Sequence, residues 1–398
     1  MDVKSLRVLY VHTGSDLYGA SQSLLRLSSR LVRDGAKVMA VLPYRGPLFD
    51  ALQAKGVDII LSGDLPVIER EKAKKLVGLL NLLINTFSSA IYLYRLIRKF
   101  RPHLVHTITS VVLSPGLAAK LRGVPHVWHI RESFGEFGSW WKYYQRYISW
   151  LSSAIVCVST PVAEQFEPQV RARKVKVIHN GFPSAEFETV DTERIKAFKS
   201  RFALDKAAAL VGVVGRIKFL RKGQEVFVEA AGLLQNRFPD VRFLCIGSPF
   251  PGNESHFENL KKLILERGLS DYVICTGDVE DVKAAISALD ILVLSSVQPE
   301  PFGGAVIEAM ALSRPVVATR TGGSIEQVEN GVTGYLVEPG DSNSMAAGIE
   351  KLLESPDRRR NFGQNGRVRF LEKFEFEPFY QKILGLYKQV IADECLPD

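Results

Sequence analysis

Apolar and polar positions alternate between two textures along this chain. Short runs dense in Val, Ile and Leu are separated by longer stretches in which apolar residues recur every three or four positions. The runs predict strands at 6–11, 37–42, 57–61, 104–108, 125–130 and 154–159, with 174–180 also strand-like. In the second half they predict strands at 209–214, 241–246, 272–276, 290–295, 315–319 and 334–337. The runs are nearly continuous rather than alternating, which predicts burial on both faces, as in parallel sheets covered by helices. Each half therefore predicts a doubly wound α/β domain. The boundary falls between 174–180 and 209, and 181–207, with Pro183 and several charges, reads as a connection plus a first helix. We place a first domain at 1–185, a second at 186–373, and a helical segment at 374–398 that packs back on the first domain. Ligands of such sheets bind beyond the carboxyl ends of the strands, and two sets of ends facing each other make a cleft. Function then belongs to loops that follow strands.

The stretch 76–94 carries no charge and is flanked by Lys72, Lys74 and Lys75 on one side and Arg95, Arg98 and Lys99 on the other. Its length alone would allow a membrane span. Gly78, Asn81, Asn85, Ser88, Tyr92 and Arg95 recur at spacings of three and four and form a polar stripe. That predicts a helix packed in a globular protein or one lying on a membrane surface. The basic flanks over 72–99 suit anionic lipid.

At 398 residues the chain is too long for one ordinary core, which supports two domains. An apolar fraction of 46% and a charged fraction of 24% are those of a soluble globular protein. A strand already at 6–11 argues against a signal peptide, so the expected location is cytoplasmic, with a peripheral contact on the membrane face. Cys157, Cys245, Cys275 and Cys395 form no Cys-x-x-Cys pair and read as reduced structural thiols. A net charge of +8 points to acidic partners such as phosphates or anionic lipid. No zinc-finger spacing, helix-turn-helix signal or aromatic ribonucleoprotein motif supports nucleic acid.

The chemistry concentrates in "VLSSVQPEPFGGAVIEAMALSRPVVATRTGG". A strand ends in Ser295-Ser296, and a loop with Pro299 and Pro301 follows. Gly303-Gly304 then open a helix from Ala305 to Ala311. Glu300 lies in the loop at the strand's carboxyl end, and Glu308 lies about one turn into the helix. Between them are the free amides of a helix N-terminus, which favour anions, and glycines that let a phosphate approach. A ligand with hydroxyl, phosphate and hydroxyl groups in series fits, such as a sugar nucleotide. The plainer alternative is a loop charge and a surface helix residue.

A second cluster is "VGVVGRIKFLRKGQ", where Arg216 and Lys222 follow a strand with Gly215 and Gly223. Two fixed cations there suit a diphosphate and the charge that builds on a departing phosphate; a solvated basic loop is the alternative. A third is "HTGSDLYGASQ", a strand, a loop with Gly14 and Gly19, then a helix from about Ser21. It lacks Gly-x-Gly-x-x-Gly and is weak support for phosphate binding. A fourth is "VWHIRESFGEFG", where His129 and Glu132 follow a strand. No metal-ligand cluster is evident.

In order and spacing these elements resemble family 4 retaining glycosyltransferases of the GT-B fold. The likeness rests on Gly215-Arg216 with Lys222-Gly223, Glu300-Pro301-Phe302-Gly303 with Glu308-Ala309-Met310, Thr321-Gly322-Gly323, and Asn330-Gly331-x-x-Gly334. It extends to "VSTPVAEQF" at 158–166 and "VIHNGF" at 177–182. The resemblance implies a hexosyltransferase that moves a sugar from a nucleotide diphosphate sugar to a glycan or lipid-linked acceptor in polysaccharide or cell-envelope synthesis. The nucleotide sugar would be the substrate, with no cofactor and no metal. Glu300 would position the sugar and Glu308 the ribose. Arg216 and Lys222 would hold the diphosphate with the amides of Phe302, Gly303, Gly304 and Ala305.

By the same resemblance His129 would lie near the transferred sugar, brought there by domain closure. Gly19 would let the first domain's loop approach the donor, and Val279 would meet the base through its backbone. A front-face route, with the departing phosphate helping to deprotonate the acceptor, would follow. The chain departs from the family's pattern at Tyr18-Gly19-Ala20-Ser21, at Ile130-Arg131-Glu132 after His129, and at Asn180-Gly181-Phe182-Pro183. All three lie in or near the acceptor half. Two other expectations stay open: a nucleotide-sugar epimerase or hydrolase, and a non-catalytic nucleotide-sugar-binding protein.

Overall fold

The computed structural model describes residues 2–394 apart from 64, 69–75, 136, 137, 139 and 189. Cys395 and the lysines of the 72–75 flank lie outside the described residues. The chain forms two compact units, Met1–Gly181 with Pro378–Asp398, and Phe182–Glu377.

The first unit is built on strands β1 Arg7–Val11, β2 Lys37–Leu42, β3 Asp58–Leu61, β4 Leu104–Thr107, β5 His126–Ile130, β6 Ala154–Cys157 and β7 Val175–Val177. They pair in the order β3-β2-β1-β4-β5-β6-β7, every pair parallel. Between them run α1 Gly19–Arg33, α2 Pro47–Ala54, α3 Leu76–Phe100, α4 Ser114–Leu121, α5 Trp140–Leu151, α6 Thr160–Ala163 and α7 Pro168–Lys174. The chain winds outward from β1 to β3 and then returns to β4 on the other side. Right-handed crossovers therefore put α1 and α2 on one face of the sheet and α3, α4 and α5 on the other. Leu9, Val11 and Val41 pack with Leu93 and Ile97 of α3 and Ala118 and Ala119 of α4. The Ser89 hydroxyl donates to Ser114 Oγ at 2.9 Å across the α3–α4 contact. Small side chains there let the two helices approach closely.

The second unit carries β8 Ala209–Val214, β9 Val241–Ile246, β10 Val273–Gly277, β11 Ile291–Leu294, β12 Val316–Thr319 and β13 Gly334–Val337. Their order is β10-β9-β8-β11-β12-β13, again parallel throughout. Its helices are α8 Thr192–Arg201, α9 Gln224–Leu234, α10 Ser255–Glu266, α11 Val282–Ala288, α12 Gly304–Ala311, α13 Ser324–Gln327, α14 Ser342–Leu353 and α15 Pro356–Lys373. Val, Ile and Leu runs such as 209–214 become fully covered strands because helices occupy both faces. Phe182 goes with this unit because its N–H donates to Phe374 O at 2.9 Å and its ring joins the second core.

The last helix, α16 Phe376–Glu394, lies largely in the first unit. There the Tyr387 hydroxyl bonds His106 Nδ1 and meets Tyr10 Oη at 2.8 Å. Tyr380 Oη donates to Asp34 Oδ2 at 2.6 Å. Burial pushes the Tyr10 and Tyr387 phenols far up, so both stay protonated donors.

Candidate active site

In an open α/β sheet the ligand crevice lies where strand order reverses. In the second unit that point falls between β8 and β11. The loops after these two strands are sewn to each other. Arg221 O accepts from Val297 N–H at 3.1 Å and Gln298 N–H at 3.3 Å, and Ser295 Oγ donates to Lys222 O at 2.8 Å. Gly223 has φ +67, and a Cβ there would stand 1.9 Å from Ser295 O, so only glycine fits. Gly215, Arg216, Lys222, Ser295 and Ser296 line the resulting pocket.

Two residues 78 positions apart meet at its mouth: Lys222 Nζ forms an ion pair with Glu300 Oε2. Ser296 Oγ donates to the same oxygen at 3.3 Å. The carboxylate is largely withdrawn from water, with its side chain 18% exposed against 31% for Lys222. The Glu300 backbone is braced from the loop after β12. Gly323 N–H donates to Glu300 O at 2.8 Å, and a Cβ on Gly322, at φ +58, would stand 2.1 Å from that oxygen. Thr319 Oγ1 donates to Ser296 O at 2.7 Å, and Gln327 Nε2 to Gly303 O at 3.1 Å.

Helix α12 starts beside this pair. Its N-cap is Gly303, with no side-chain cap; Val306 N–H donates to Gly303 O at 3.1 Å, and the Gly304 and Ala305 amides are left to an anion. Glu308 is the fifth residue of α12 and half-buried. The Arg216 guanidinium stacks over Phe250, 4.6 Å from the ring centroid. Phe302 turns its ring edge-on toward Phe374 at 6.0 Å, which leaves its backbone for a ligand. Val279 lies between β10 and α11 with its side chain against the core.

The first unit holds a second polar cluster at the carboxyl ends of β1 and β5. His12 Nε2 bonds Ser21 Oγ at 3.0 Å, and that hydroxyl donates to Asp16 Oδ1 at 3.1 Å. Arg131 Nη2 donates to Ser23 Oγ at 2.7 Å and Nη1 to Asn180 Oδ1 at 2.8 Å, while its buried Nε makes no hydrogen bond. Burial lowers the Arg131 pKa to about 10, opposed by the neighbouring Glu132, so the group stays a cation at neutral pH. Burial, then the Arg131 charge, lowers the His12 pKa to about 4, so His12 is neutral. The Glu132 carboxylate is spent on structure: it accepts from Thr109 Oγ1 at 2.6 Å, Ser110 Oγ at 2.7 Å and Arg131 N–H at 2.9 Å. Helix α1 begins at Gly19 with no side-chain cap, and the space at that glycine is open.

Comparison with known proteins finds a family match on each half of the chain. Residues 194–369 match the family model described as Glycosyl transferases group 1, and residues 18–186 match that described as Glycosyltransferase Family 4. Among solved structures, Anabaena Alr3699/HepE in complex with UDP-glucose has a TM-score of 0.82 at 22% identity, over 96% of this chain and 100% of that one. The chain has the GT-B fold, with a glycosyltransferase family matched on each half. It is 26% identical over 321 residues to the capsular polysaccharide biosynthesis glycosyltransferase CapM of Staphylococcus aureus, covering 78% of this chain and 83% of that protein. It is 33% identical over 210 residues to alpha-D-kanosaminyltransferase of Streptomyces kanamyceticus, a match that spans 52% of each.

The GT-B chain gathers Arg216, Lys222, Glu300, Gly303, Gly304 and Ala305 around one switch point. It departs from the sequence expectation in two ways. Glu300 and Lys222, expected to hold the sugar and the diphosphate of a ligand, are partners of each other. His129 is inside β5, one residue before its end and with no exposed surface. Its imidazole stacks on His106 at 5.5 Å with neither nitrogen hydrogen-bonded, and burial keeps it neutral. It must be uncovered to touch a ligand. Sequence reading passed over Ser23 and Asn180 as partners of Arg131 and Ser21 as a partner of His12; the available signal was that Asn180 follows a strand and both serines lie in the first turns of a helix that follows one.

Proposed function

We propose that this chain is a retaining hexosyltransferase that moves a sugar from a nucleotide diphosphate sugar to a hydroxyl of a glycan or lipid-linked acceptor, in polysaccharide or cell-envelope glycan synthesis. The observation that carries the reading is the Lys222–Glu300 ion pair beside the uncapped start of α12 at the β8/β11 switch point. The relatives' names, a capsular polysaccharide glycosyltransferase and a kanosaminyltransferase, support the reaction class. The complex of HepE with UDP-glucose supports the donor class.

In this reading the diphosphate displaces Glu300 from Lys222 and takes Lys222, Arg216 and the amides of residues 302–305 as partners. Charge-assisted hydrogen bonds to phosphate are among the stronger ones available. The released Glu300 carboxylate then accepts from sugar hydroxyls, and Glu308 from the ribose. The pair thus couples the two halves of the donor: a nucleotide diphosphate alone strands Glu300, whereas a nucleotide sugar gives it new partners. In the reacting step the bond from the anomeric carbon to the phosphate oxygen breaks, and a bond to the acceptor oxygen forms on the same face. The acceptor proton passes to the departing phosphate, whose growing charge is met by Arg216 and Lys222 without a metal ion. The Arg131, Ser23 and Asn180 cluster is assigned to the acceptor side, and Val279 offers its backbone to the base. The site of action is the cytoplasmic face of a membrane.

Replacing Glu300 by Gln tests this. Turnover should fall by roughly 10²–10³ as sugar positioning is lost. Affinity for nucleotide diphosphate alone should stay equal or rise, because Lys222 loses its competing carboxylate. Unchanged turnover removes Glu300 from the mechanism.

A further inference from the structure

We propose that the first unit docks on an anionic lipid surface through the outer faces of α3 and α5, along the length of these helices. The sequence pointed to lipid over 72–99 only; the structure shows a different composition for that face and adds a second helix to it.

Helix α3 is inside out over its first half. Its exposed residues include Val77, Leu80, Leu83, Ile84, Phe87 and Ile91, with Ile84 66% and Phe87 61% exposed. Five of these follow a spacing of three and four and form one continuous stripe. The face turned inward carries Thr86, Ser89 and Ala90, all buried. Asn81, Asn85 and Ser88 border the stripe in solvent rather than defining the helix's only outer face. A chain that turns its small side chains in and its large apolar ones out presents a contact surface.

Helix α5 adds a second set of exposed aromatic residues on the same sheet face. It shares a sheet face with α3, and α4 lies between them: Ser89 bonds Ser114, and the Lys120 ammonium sits 5.6 Å from the Trp150 ring centroid. Trp140, Tyr143 and Trp150 of α5 are exposed. Trp and Tyr, with an apolar body and a polar tip, suit the headgroup level of a bilayer.

Charge selects the occupant. Residues 76–130 contain Arg95, Arg98, Lys99, Arg101, Lys120 and Arg122 and no Asp or Glu; residues 137–163 contain Lys142 and Arg146 and again no acid. Those eight cations equal the chain's whole formal net charge of +8. Among the described residues Arg146 alone of them has an ion-pair partner, Glu167 at 3.8 Å. A second copy of the chain would set two acid-free basic faces against each other. A nucleic acid would match the cations and leave the aliphatic stripe uncovered. Anionic lipid matches both. No described helix is long and apolar enough to cross a membrane, so the helices lie on the surface.

The placement also fits the loops. Helices that connect parallel strands run back against them, so the first turns of α3 and α5 lie at the same sheet edge as His12, Gly19 and Arg131. Docking would hold those loops at the lipid surface. The docking does not depend on the transferase reading, since lipid binding is read without substrate.

The test is sedimentation of the full chain with phosphatidylcholine vesicles containing about 30 mol% phosphatidylglycerol, against phosphatidylcholine alone. Partitioning should be at least about tenfold stronger on the anionic vesicles and fall with salt. Ile84→Ser with Phe87→Ser should weaken it about tenfold or more. Arg98→Gln with Lys142→Gln removes two of these eight cations and should weaken the anionic preference and lower the salt dependence by about a quarter. No anionic preference, or wild-type partitioning by both double variants, overturns the proposal. So does a dimer in light scattering that the Ile84 and Phe87 changes dissociate, since the stripe would then belong to a second copy.

Discussion

Gly322→Ala isolates how Glu300 is held. Gly322 sits at φ +58, and a methyl there would lie 2.1 Å from Glu300 O and 2.7 Å from Glu300 N. Two costs follow. A non-glycine residue in the left-handed region loses about 1–2 kcal/mol. The contact itself requires the Glu300 backbone to retreat by roughly 1 Å, since packed interiors have no spare volume. A displacement of that size at a positioning group costs about 10² in rate, or about 2.7 kcal/mol of transition-state stabilisation. Gly331→Ala supplies the control. Its φ is +80, and an added Cβ meets nothing within 4 Å, so it carries the backbone strain without the displacement. Both variants should lose melting temperature, by about 2–4 °C per kcal/mol for a unit of this size. Only Gly322→Ala should lose roughly two orders of magnitude in kcat/KM, with nucleotide diphosphate affinity nearly kept. Equal turnover of the two variants would refute the claim that the Gly322 loop positions Glu300.

Replacing Arg216 and Lys222 together by Ala should weaken nucleotide diphosphate binding by about 10²–10⁴ in calorimetry, at about 1.5–3 kcal/mol per charged hydrogen bond. EDTA should leave wild-type affinity and turnover unchanged; equal affinity of the double variant, or full loss in EDTA, rejects the cationic clamp. Acid should destabilise the first unit before neutral pH is far behind. Burial lowers the pKa of His12 to about 4 and of His126 to about 3, and holds His106 and His129 well below the ordinary 6.5. Folded-state values below the unfolded one mean that unfolding takes up protons, so stability is full above about pH 6.5 and falls as pH drops toward 4. His12 and His126 together amount to about 3 kcal/mol between pH 7.5 and 5.5, with His106 and His129 acting in the same direction, read as a lower urea midpoint. An unchanged midpoint contradicts their burial.

The fold was legible because covered parallel strands need unbroken Val, Ile and Leu, and runs such as 209–214 and 241–246 coincide with β8 and β9. The site was legible to the extent that loops carry it: Pro299, Pro301 and the glycine pair mark a strand-to-helix turn wherever they occur. What the sequence hid is what tertiary contact creates. Nothing local to Lys222 or Glu300 reveals that they pair, because the crossing is made by two loops on adjacent strands. His129 was read as a strand-end residue, yet a single position decides whether a side chain clears the sheet. In α3 the polar stripe was visible, but periodicity does not say which flank packs inward. That was decided by the small residues of α3 that meet α4.

The central claim is retaining sugar transfer at the β8/β11 switch point. The most direct measurement is proton NMR of the product, formed by the purified chain from the nucleotide sugar that most raises its melting temperature and an acceptor from membrane extract. The account predicts a new glycosidic bond with the donor's anomeric configuration, absent when acceptor is withheld and when Glu300 is Gln. An inverted anomer, or donor consumed at the same rate without acceptor, would contradict it.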